Sequence, residues 1–336
     1  MKISKFEDLP VSLLERIADA NVFFQKGFVD YVRINNDELY YLYDDERIVP
    51  IRHRKKMIFN FCEFETEPLC LSDNTHRSEQ EFLDEAMGLL KLHLHVQWCH
   101  STPSCFFSDT PSHNCKRIPF GSHVIDLSND ESVLWSNVHS KHRNVIRKAT
   151  KEEVIIREGD FDLVDDYARL EQETYERTGR SPSGVEYYKK QLIALGNNIR
   201  VYIAYHDGKP QAGGVFFFNS QRCYYMYGAT TEQCVTGSAN LLLWTAILNM
   251  KEIGVKEFSF VGCRINEDPD SKYHGIQKFK ERFGGTLRTG YMFRFEIRPL
   301  FYRLFCKAMQ IRLRSRVPYR DPIDEEIGKW INIQVK

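Results

Sequence analysis

The feature that most constrains the fold of this chain is a pattern of elements that occurs twice, at an offset of roughly 160 residues. In the first half, residues 38–43 and 47–51 are β-rich runs separated by an acidic turn. In the second half, the runs are residues 200–205 and 211–219, and the turn between them contains Asp207-Gly208. Because Asp-Gly between β-rich runs favours a hairpin, the sequence predicts one hairpin in each half.

A helix and a short strand are predicted after each hairpin. Residues 79–96 have apolar side chains at helical spacing, and residues 238–253 are apolar on most faces, which is typical of a buried helix. Ser238 is the predicted N-cap of the second helix, and Gly254 its C-terminal stop. The short strands are residues 96–98 and 257–261. Strand, strand, helix and strand, found twice, predict an α/β fold made of two similar modules.

The two modules are predicted to meet near residue 130. We assign residues 1–130 to an N-terminal module, 131–297 to a C-terminal module, and 298–336 to a basic helix and tail. The other predicted elements are helices at residues 132–150, 161–175 and 299–314 and strands at residues 154–156 and 291–295. The pattern does not predict how the tail after Pro318 is arranged.

The amino-acid composition limits the kinds of molecule that this protein is expected to bind. The chain contains 46 basic and 46 acidic side chains, so it has no overall charge that would attract a polyanion. Contact with tRNA, a nucleotide or phospholipid would require a local patch, and we expect no DNA partner. No stretch approaches the ~18 apolar residues of a membrane span, and the N-terminus lacks the apolar region of a secretory signal. Nine irregularly spaced cysteines do not suggest disulfides, so we expect a cytoplasmic protein.

Five short motifs occur along the chain in a suggestive order. They are Phe23-Phe24-Gln25, the basic run 141–149, Thr178-Gly179-Arg180 with Tyr187-Tyr188, Tyr227-Gly228-Ala229, and Phe279-Lys280 with Phe283-Gly284. This order resembles that of the Fem-type peptidoglycan aminoacyltransferases, which are built on tandem GNAT (N-acetyltransferase-like) folds. The resemblance is good over residues 132–290. It implies two GNAT-like modules and transfer of an activated acyl group to an amine, in a cleft between or beside the modules.

The resemblance implies aminoacyl-tRNA as the donor, with acyl-CoA as a possible cosubstrate, and an acceptor such as a peptide-sugar precursor of the cell envelope. The segment 233–239 differs by one residue from the loop with which GNAT enzymes bind acyl-CoA, so the choice of donor stays open. The helix start at Gly237, Ser238 and Ala239 could still hold a phosphate through its backbone N–H groups. No tightly bound cofactor and no metal are implied.

Two residues are assigned to the chemistry through the resemblance. Lys280 would supply positive charge where the tetrahedral oxyanion forms. Asp126, which follows a predicted strand, would orient the acceptor amine or take its proton. Both residues also have simpler interpretations, because Lys280 could belong to a solvated basic face and Asp126 could cap the turn that follows it.

Four further residues are assigned to substrate binding. Arg180 and Tyr227 would bind the acceptor, Phe279 accompanies Lys280 in its motif, and Lys26 would pair with a phosphate or carboxylate of the acceptor. A tyrosine in a tyrosine-rich strand is also expected to pack in the core, and an arginine after Thr-Gly is also expected at the surface. These alternatives remain open at the level of sequence.

Three other patches have competing interpretations. A cationic cluster between residues 141 and 151 could bind RNA, a nucleotide or anionic lipid, or could be a solvated helix face. Five His and Cys residues between His93 and Cys115 have spacings that do not favour a zinc site. In a non-catalytic alternative, a GNAT-like binding module would use the basic helix after Pro299 at a membrane surface or with a protein partner.

Overall fold

The computed structural model describes residues 1–178, 181–265, 272–313 and 318–334. The strands are β1 (Lys2–Lys5), β2 (Glu38–Tyr43), β3 (Arg47–Lys56), β4 (Phe59–Phe64), β5 (Leu69–Cys70), β6 (Trp98–Ser101), β7 (Cys115–Asp126), β8 (Ile155–Gly159), β9 (Ile199–His206), β10 (Lys209–Phe218), β11 (Arg222–Thr230), β12 (Glu257–Arg264) and β13 (Thr286–Glu296). The helices are α1 (Val11–Ile17), α2 (Lys26–Ile34), α3 (Glu79–His93), α4 (Glu131–Asn137), α5 (Ser140–Lys151), α6 (Val164–Thr178), α7 (Val185–Leu195), α8 (Ser238–Glu252), α9 (Lys272–Glu281), α10 (Pro299–Arg312) and α11 (Pro322–Gln334).

The chain divides into two compact units that are not consecutive in sequence. Unit 1 consists of Met1–Arg16, Asn35–Gly121 and Thr289–Lys336, and unit 2 consists of Ile17–Ile34 and Ser122–Arg288. Strands β7 and β13 therefore contribute residues to both units. Each unit contains a run of neighbouring sheet strands and its own apolar core, as expected for a fold with two similar modules.

Unit 1 contains a sheet in the order β1-β2-β3-β4-β6-β13, with β5 beside β3. The predicted first hairpin is confirmed by antiparallel pairing of β2 with β3. One face of this sheet is covered by α3, whose Phe82 and Leu83 pack with Val49 and Phe64. The start of α3 is fixed by a capping box in which Ser78 and Glu81 exchange hydrogen bonds.

The C-terminal helices of unit 1 pack on Trp98 and around a buried arginine. Tyr302 and Phe305 of α10 contact the ring of Trp98. Arg294 is fully buried, donates to the hydroxyl of Tyr302 at 2.8 Å, and forms ion pairs with Asp321 and with Asp324. Because an unpaired buried guanidinium would be strongly destabilising, these partners fix the position where α11 begins.

Unit 2 contains a sheet in the order β7-β12-β11-β10-β9-β8. The predicted second hairpin is confirmed by the pairing of β9 with β10. One face is covered by α4, α5 and α8, and its core includes Leu134, Ile146, Leu243 and Phe260. Helices α6 and α7 are associated with the strands, and α2 packs against α7.

Two predicted details of unit 2 are wrong. A single helix was expected over residues 132–150, but the helix ends at Asn137 and a second begins at Ser140. The break occurs because the backbone N–H of His139 bonds to the carbonyl of Arg282, while the His139 ring accepts from Lys141. The N-cap of α8 is Gly237 at φ +92°, not Ser238, because the turn before α8 is left-handed.

Candidate active site

The candidate site of unit 2 begins where two parallel strands stop pairing. Strands β11 and β12 pair over Arg222–Tyr224 and Glu257–Ser259, and both strands continue beyond this point. On its other side, β11 pairs with β10, where Val215 opposes Tyr227 and Phe216 opposes Tyr225. Met226 is therefore an extra residue in a β-bulge, which bends β11 just after it leaves β12. The carboxyl ends of the two parallel strands thus diverge, as they do at many ligand sites of α/β proteins.

Lys280 reaches the diverging end of β12 from helix α9. Its ammonium donates to the carbonyls of Phe260 and Gly262 at 2.7 and 2.9 Å, and lies 3.5 Å from the carbonyl of Val261. Within the described part of the chain it has no carboxylate as an ion-pair partner. The positive charge of Lys280 is therefore stabilised by peptide dipoles and not by a counter-ion.

Backbone geometry at Val261 makes this arrangement possible. Val261 has φ +56°, a left-handed conformation that is a genuine outlier for a β-branched residue. Its N–H bonds to the hydroxyl of Ser259 at 3.2 Å, and Ser259 contacts the hydroxyl of Ser122 in β7 at 3.0 Å. Such strained residues persist where surrounding structure holds them, and they are concentrated at functional sites.

The pKa of Lys280 is lowered to about 8 because burial disfavours the charged form, and the nearby thiol of Cys263 opposes this shift. Protonated and neutral forms of Lys280 are then both populated near neutral pH. A group poised in this way can stabilise developing negative charge and can also take part in proton transfer.

His123 is a second candidate residue at this place, and sequence reasoning missed it. Its side chain on β7 is 2% exposed, and its titration is influenced by Lys280, Lys278 and Glu281. The backbone of Gly285 lies beside the ring, but neither ring nitrogen makes a hydrogen bond of ordinary geometry with a described residue. Burial lowers the pKa of His123, so the ring is kept neutral. A buried polar group without a partner is destabilising, which suggests that the ring has a role in binding or proton transfer.

Asp126 lies elsewhere on the same sheet. Its carboxylate is exposed and accepts from the N–H and hydroxyl of Ser128, at 2.9 and 2.7 Å, and these bonds lower its pKa. The next residue, Leu127, bonds to the carbonyl of Lys256 at the beginning of β12. Lys280 binds at the other end of that strand, at a separation of roughly 13 Å for four strand residues. The structure therefore does not bring the two predicted catalytic residues together.

Similarity to a known protein family covers the part of unit 2 that contains Lys280. A profile of the acetyltransferase (GNAT) domain matches residues 136–281, which include β11, α8, β12 and Lys280. This segment is a GNAT domain. No curated protein sequence matches the chain.

Solved structures show the fold of the whole chain. FemX is similar with a TM-score of 0.65 and 12% identity, over 90% of this chain and 99% of FemX. The C-terminal domain of a putative lysylphosphatidylglycerol synthetase from Agrobacterium fabrum has a TM-score of 0.58 and 12% identity, over 88% and 96% of the two chains. L-PGS from Bacillus licheniformis has a TM-score of 0.56 and 11% identity, over 93% and 98%. The predicted tandem GNAT architecture is confirmed, and an acyltransferase is the enzyme class that this fold supports.

Tyr227 of the GNAT domain belongs to a cluster of tyrosines. Its hydroxyl lies 3.1 Å from that of Tyr187 and accepts from Gln191 at 3.2 Å, and Tyr31 donates to Tyr187 at 3.0 Å. Gln191 is fully buried, and its side-chain oxygen has no hydrogen-bond partner among the described residues. The predicted acceptor-binding role of Tyr227 stays a prediction, and any acceptor would meet a connected polar network here.

The other predicted substrate-binding residues lie in ordinary structural settings. Phe279 is half-buried, its ring contacts those of His142 and Phe283 in tilted and edge-to-face arrangements, and its carbonyl accepts from the His142 ring at 3.0 Å. Lys26 is exposed and pairs with Asp30 one helical turn away, at 3.1 Å. Arg180 lies outside the described residues.

The start of α8 is closed by a neighbouring helix. A side chain at Gly237 would come within 2.1 Å of the carbonyl oxygen of Val145 in α5. Ser238 is fully buried, and its hydroxyl donates to the carbonyl of Val235 at 2.8 Å. The predicted phosphate cradle at Gly237, Ser238 and Ala239 therefore has α5 directly against it.

The structure also shows the surroundings of the cationic cluster on α5 and of the His and Cys residues between residues 93 and 115. On α5, Lys141, Arg147, Lys148 and Lys151 are exposed, whereas Arg143 donates to the last carbonyls of α4. Between residues 93 and 115, Cys99 contacts Met87 and His100 lies near Glu63. The described ranges contain no group of three or more side chains placed to hold a metal ion. No helix in these ranges has the length and apolarity needed to span a bilayer.

Proposed function

We propose that this protein transfers an acyl group from an activated ester or thioester to an amine, with the reacting carbonyl at the diverging end of β11 and β12. The observation that supports this proposal is the ammonium of Lys280, a half-buried side chain whose charge lies against carbonyl oxygens without a described counter-ion. Charge that is preorganised in a desolvated site is the main way in which enzymes stabilise an oxyanion.

The hydrogen bonds of Lys280 suggest how it would act. Two N–H groups are committed to Phe260 and Gly262, and the third is held only loosely at 3.5 Å from Val261. That third N–H is the one available to the carbonyl oxygen of the donor. The acceptor nitrogen would form the new C–N bond, the C–O or C–S bond to the carrier would break, and Lys280 would pass a proton to the departing oxygen or sulfur.

His123 would accompany Lys280 in this reaction. Burial lowers the pKa of this ring, the backbone of Gly285 raises it and the charge of Lys280 lowers it, and neither ring nitrogen makes a hydrogen bond of ordinary geometry with a described residue. We assign it to orienting the acceptor amine or receiving its proton. Asp126, about 13 Å along the sheet, is assigned only to the turn at Ser128.

Aminoacyl-tRNA is proposed as the donor ahead of acyl-CoA. Contact between Gly237 and Val145 leaves little room for a diphosphate at the start of α8. The exposed cations of α5, Lys141, Arg147, Lys148 and Lys151, provide a surface for a phosphate backbone instead. The proposed acceptor is an amine of a cell-envelope precursor, such as a peptide linked to a sugar.

The proposal is tested by product formation with purified wild-type protein. Charged tRNA and acetyl-CoA are supplied separately with a lysine-containing peptide or an amino sugar, and the acylated amine is detected by mass spectrometry. Product that depends on Lys280 and not on Lys278 is the expected result, because Lys278 is half-exposed on the same helix and pairs with Glu281. Absence of product with both donors would favour the non-catalytic binding module.

A further inference from the structure

Helix α10 of unit 1 has a face that stays exposed to solvent among the described residues. Its inner side carries Tyr302 and Phe305, which pack on Phe61 and Trp98. Its outer side carries a line of exposed apolar residues. They are Leu300 at 65%, Leu304 at 39% and Ile311 at 77% exposure, followed by Leu313 at 47% just after the helix. Single exposed apolar residues are common, but a row on one helix face indicates an interaction surface.

Cations flank this apolar row, and no acid does. The segment from Arg298 to Leu313 contains Arg298, Arg303, Lys307 and Arg312 but neither Asp nor Glu. These four side chains are exposed, and Arg303, Lys307 and Arg312 form no ion pair with another described residue. The outer face of α10 is therefore both apolar and positively charged.

Helix α5 has an exposed face that is positively charged but not apolar, and it serves as a comparison. Its exposed residues are Ser140, Lys141, Asn144, Arg147, Lys148, Thr150 and Lys151, with no exposed large apolar side chain. Such a face suits a hydrated polyanion, which is recognised through its phosphates. The face of α10 combines the same charge with side chains that gain by leaving water, and that combination suits the boundary between lipid headgroups and acyl chains.

We propose that the outer face of α10 docks on an anionic lipid bilayer, with the helix lying parallel to the surface. Leu300, Leu304 and Ile311 would enter the acyl boundary, and Arg303, Lys307 and Arg312 would contact the negative headgroups. This proposal does not rest on the proposed acyl transfer, since it uses residues of α10 in unit 1, whereas Lys280 belongs to unit 2.

The test is co-sedimentation of the full-length protein with vesicles. Vesicles that contain phosphatidylglycerol in phosphatidylcholine are compared with vesicles of phosphatidylcholine alone, at low and high salt. The wild-type protein is expected to bind the anionic vesicles, and to bind them less at high salt. The variant L300S/L304S/I311S is expected to lose about tenfold or more in affinity, and R303Q/K307Q/R312Q about a hundredfold.

Matched variants show whether the face itself is responsible. K141Q/K148Q/K151Q removes the same charge from α5, and L92S/I193S removes exposed apolar side chains from other helices; both are expected to bind vesicles as the wild type does. Circular dichroism confirms that each variant is folded. Equal binding to both vesicle types, full retention by L300S/L304S/I311S, or an equal loss in the α5 variant would overturn the proposal. Binding of RNA in place of vesicles through Arg303, Lys307 and Arg312 would also overturn it.

Discussion

The two ends of strand β12 differ in how their charged side chains are compensated. At its beginning, Glu257 pairs with Arg222 at 2.7 Å and with Arg288, and nearby Asp126 is satisfied by Ser128. At its diverging end, the ammonium of half-buried Lys280 lies against carbonyl oxygens, and neither ring nitrogen of His123 makes a hydrogen bond of ordinary geometry with a described residue. Paired charges at a surface contribute little and need no functional explanation. Buried, uncompensated groups are unfavourable for folding, which makes the second end the better candidate for chemistry.

The largest expected effect is that of removing the ammonium at the diverging end. Lys280→Met should reduce the single-turnover rate of acyl transfer by roughly 10²- to 10³-fold, which is typical of losing one oxyanion donor. The change removes a desolvated charge but also leaves the carbonyls of Phe260 and Gly262 without this donor, so circular dichroism first confirms that the variant is folded. Lys278→Met is the control. A rate within a factor of about two of the wild type would remove Lys280 from the site.

Replacement of the histidine should separate activity from stability. His123→Leu is expected to lower the transfer rate by about tenfold or more, because a general base or orienting group typically contributes 10²-fold or more. The melting temperature should stay equal or rise, since two buried nitrogens without described partners are removed. A fall in melting temperature with unchanged activity would instead make His123 a structural residue.

Stability should depend on pH through Lys280. Its pKa is lowered in the folded protein to about 8 from an ordinary value of 10.5, so between these values the unfolded chain binds more protons. The free energy of unfolding should therefore gain a contribution that grows as the pH rises from about 8 to 10.5, by at most about 3 kcal/mol. Denaturant titrations at several pH values give the free energy of unfolding of the wild type and of Lys280→Met. If this free energy depends on pH in the same way in both proteins, the Lys280 ammonium is not desolvated.

The smallest effect is expected at the beginning of the strand. Asp126→Asn keeps a side-chain oxygen that can accept from Ser128, so the turn should be preserved. The transfer rate should change by less than about threefold, as expected for an exposed residue outside the site. A loss comparable with that of Lys280→Met would show that both ends of β12 act in one reaction.

The sequence predicted the local elements well because their signals are local. Asp207-Gly208 marks the hairpin of unit 2, and Gly254 at φ +84° ends α8 as expected. Lys280 was selected through its motif, and its catalytic role stays a prediction. The break at His139 could not be predicted, since it depends on a bond to Arg282, far away in sequence. The burial of the His123 ring likewise depends on the residues that pack on β7 in the folded protein. For Asp126, the turn with Ser128 was one of the two interpretations that the sequence left open.

The most direct test of the account is the ionisation of the Lys280 ammonium itself. Nuclear magnetic resonance of protein with isotope-labelled lysine side chains follows this titration, with Lys280 assigned from the signal missing in Lys280→Met and Lys278 as an internal reference. Desolvation of the ammonium predicts a midpoint at about pH 8 for Lys280. A midpoint near the ordinary lysine value of 10.5 would place the ammonium in water and would rule out a desolvated Lys280 at the reacting carbonyl.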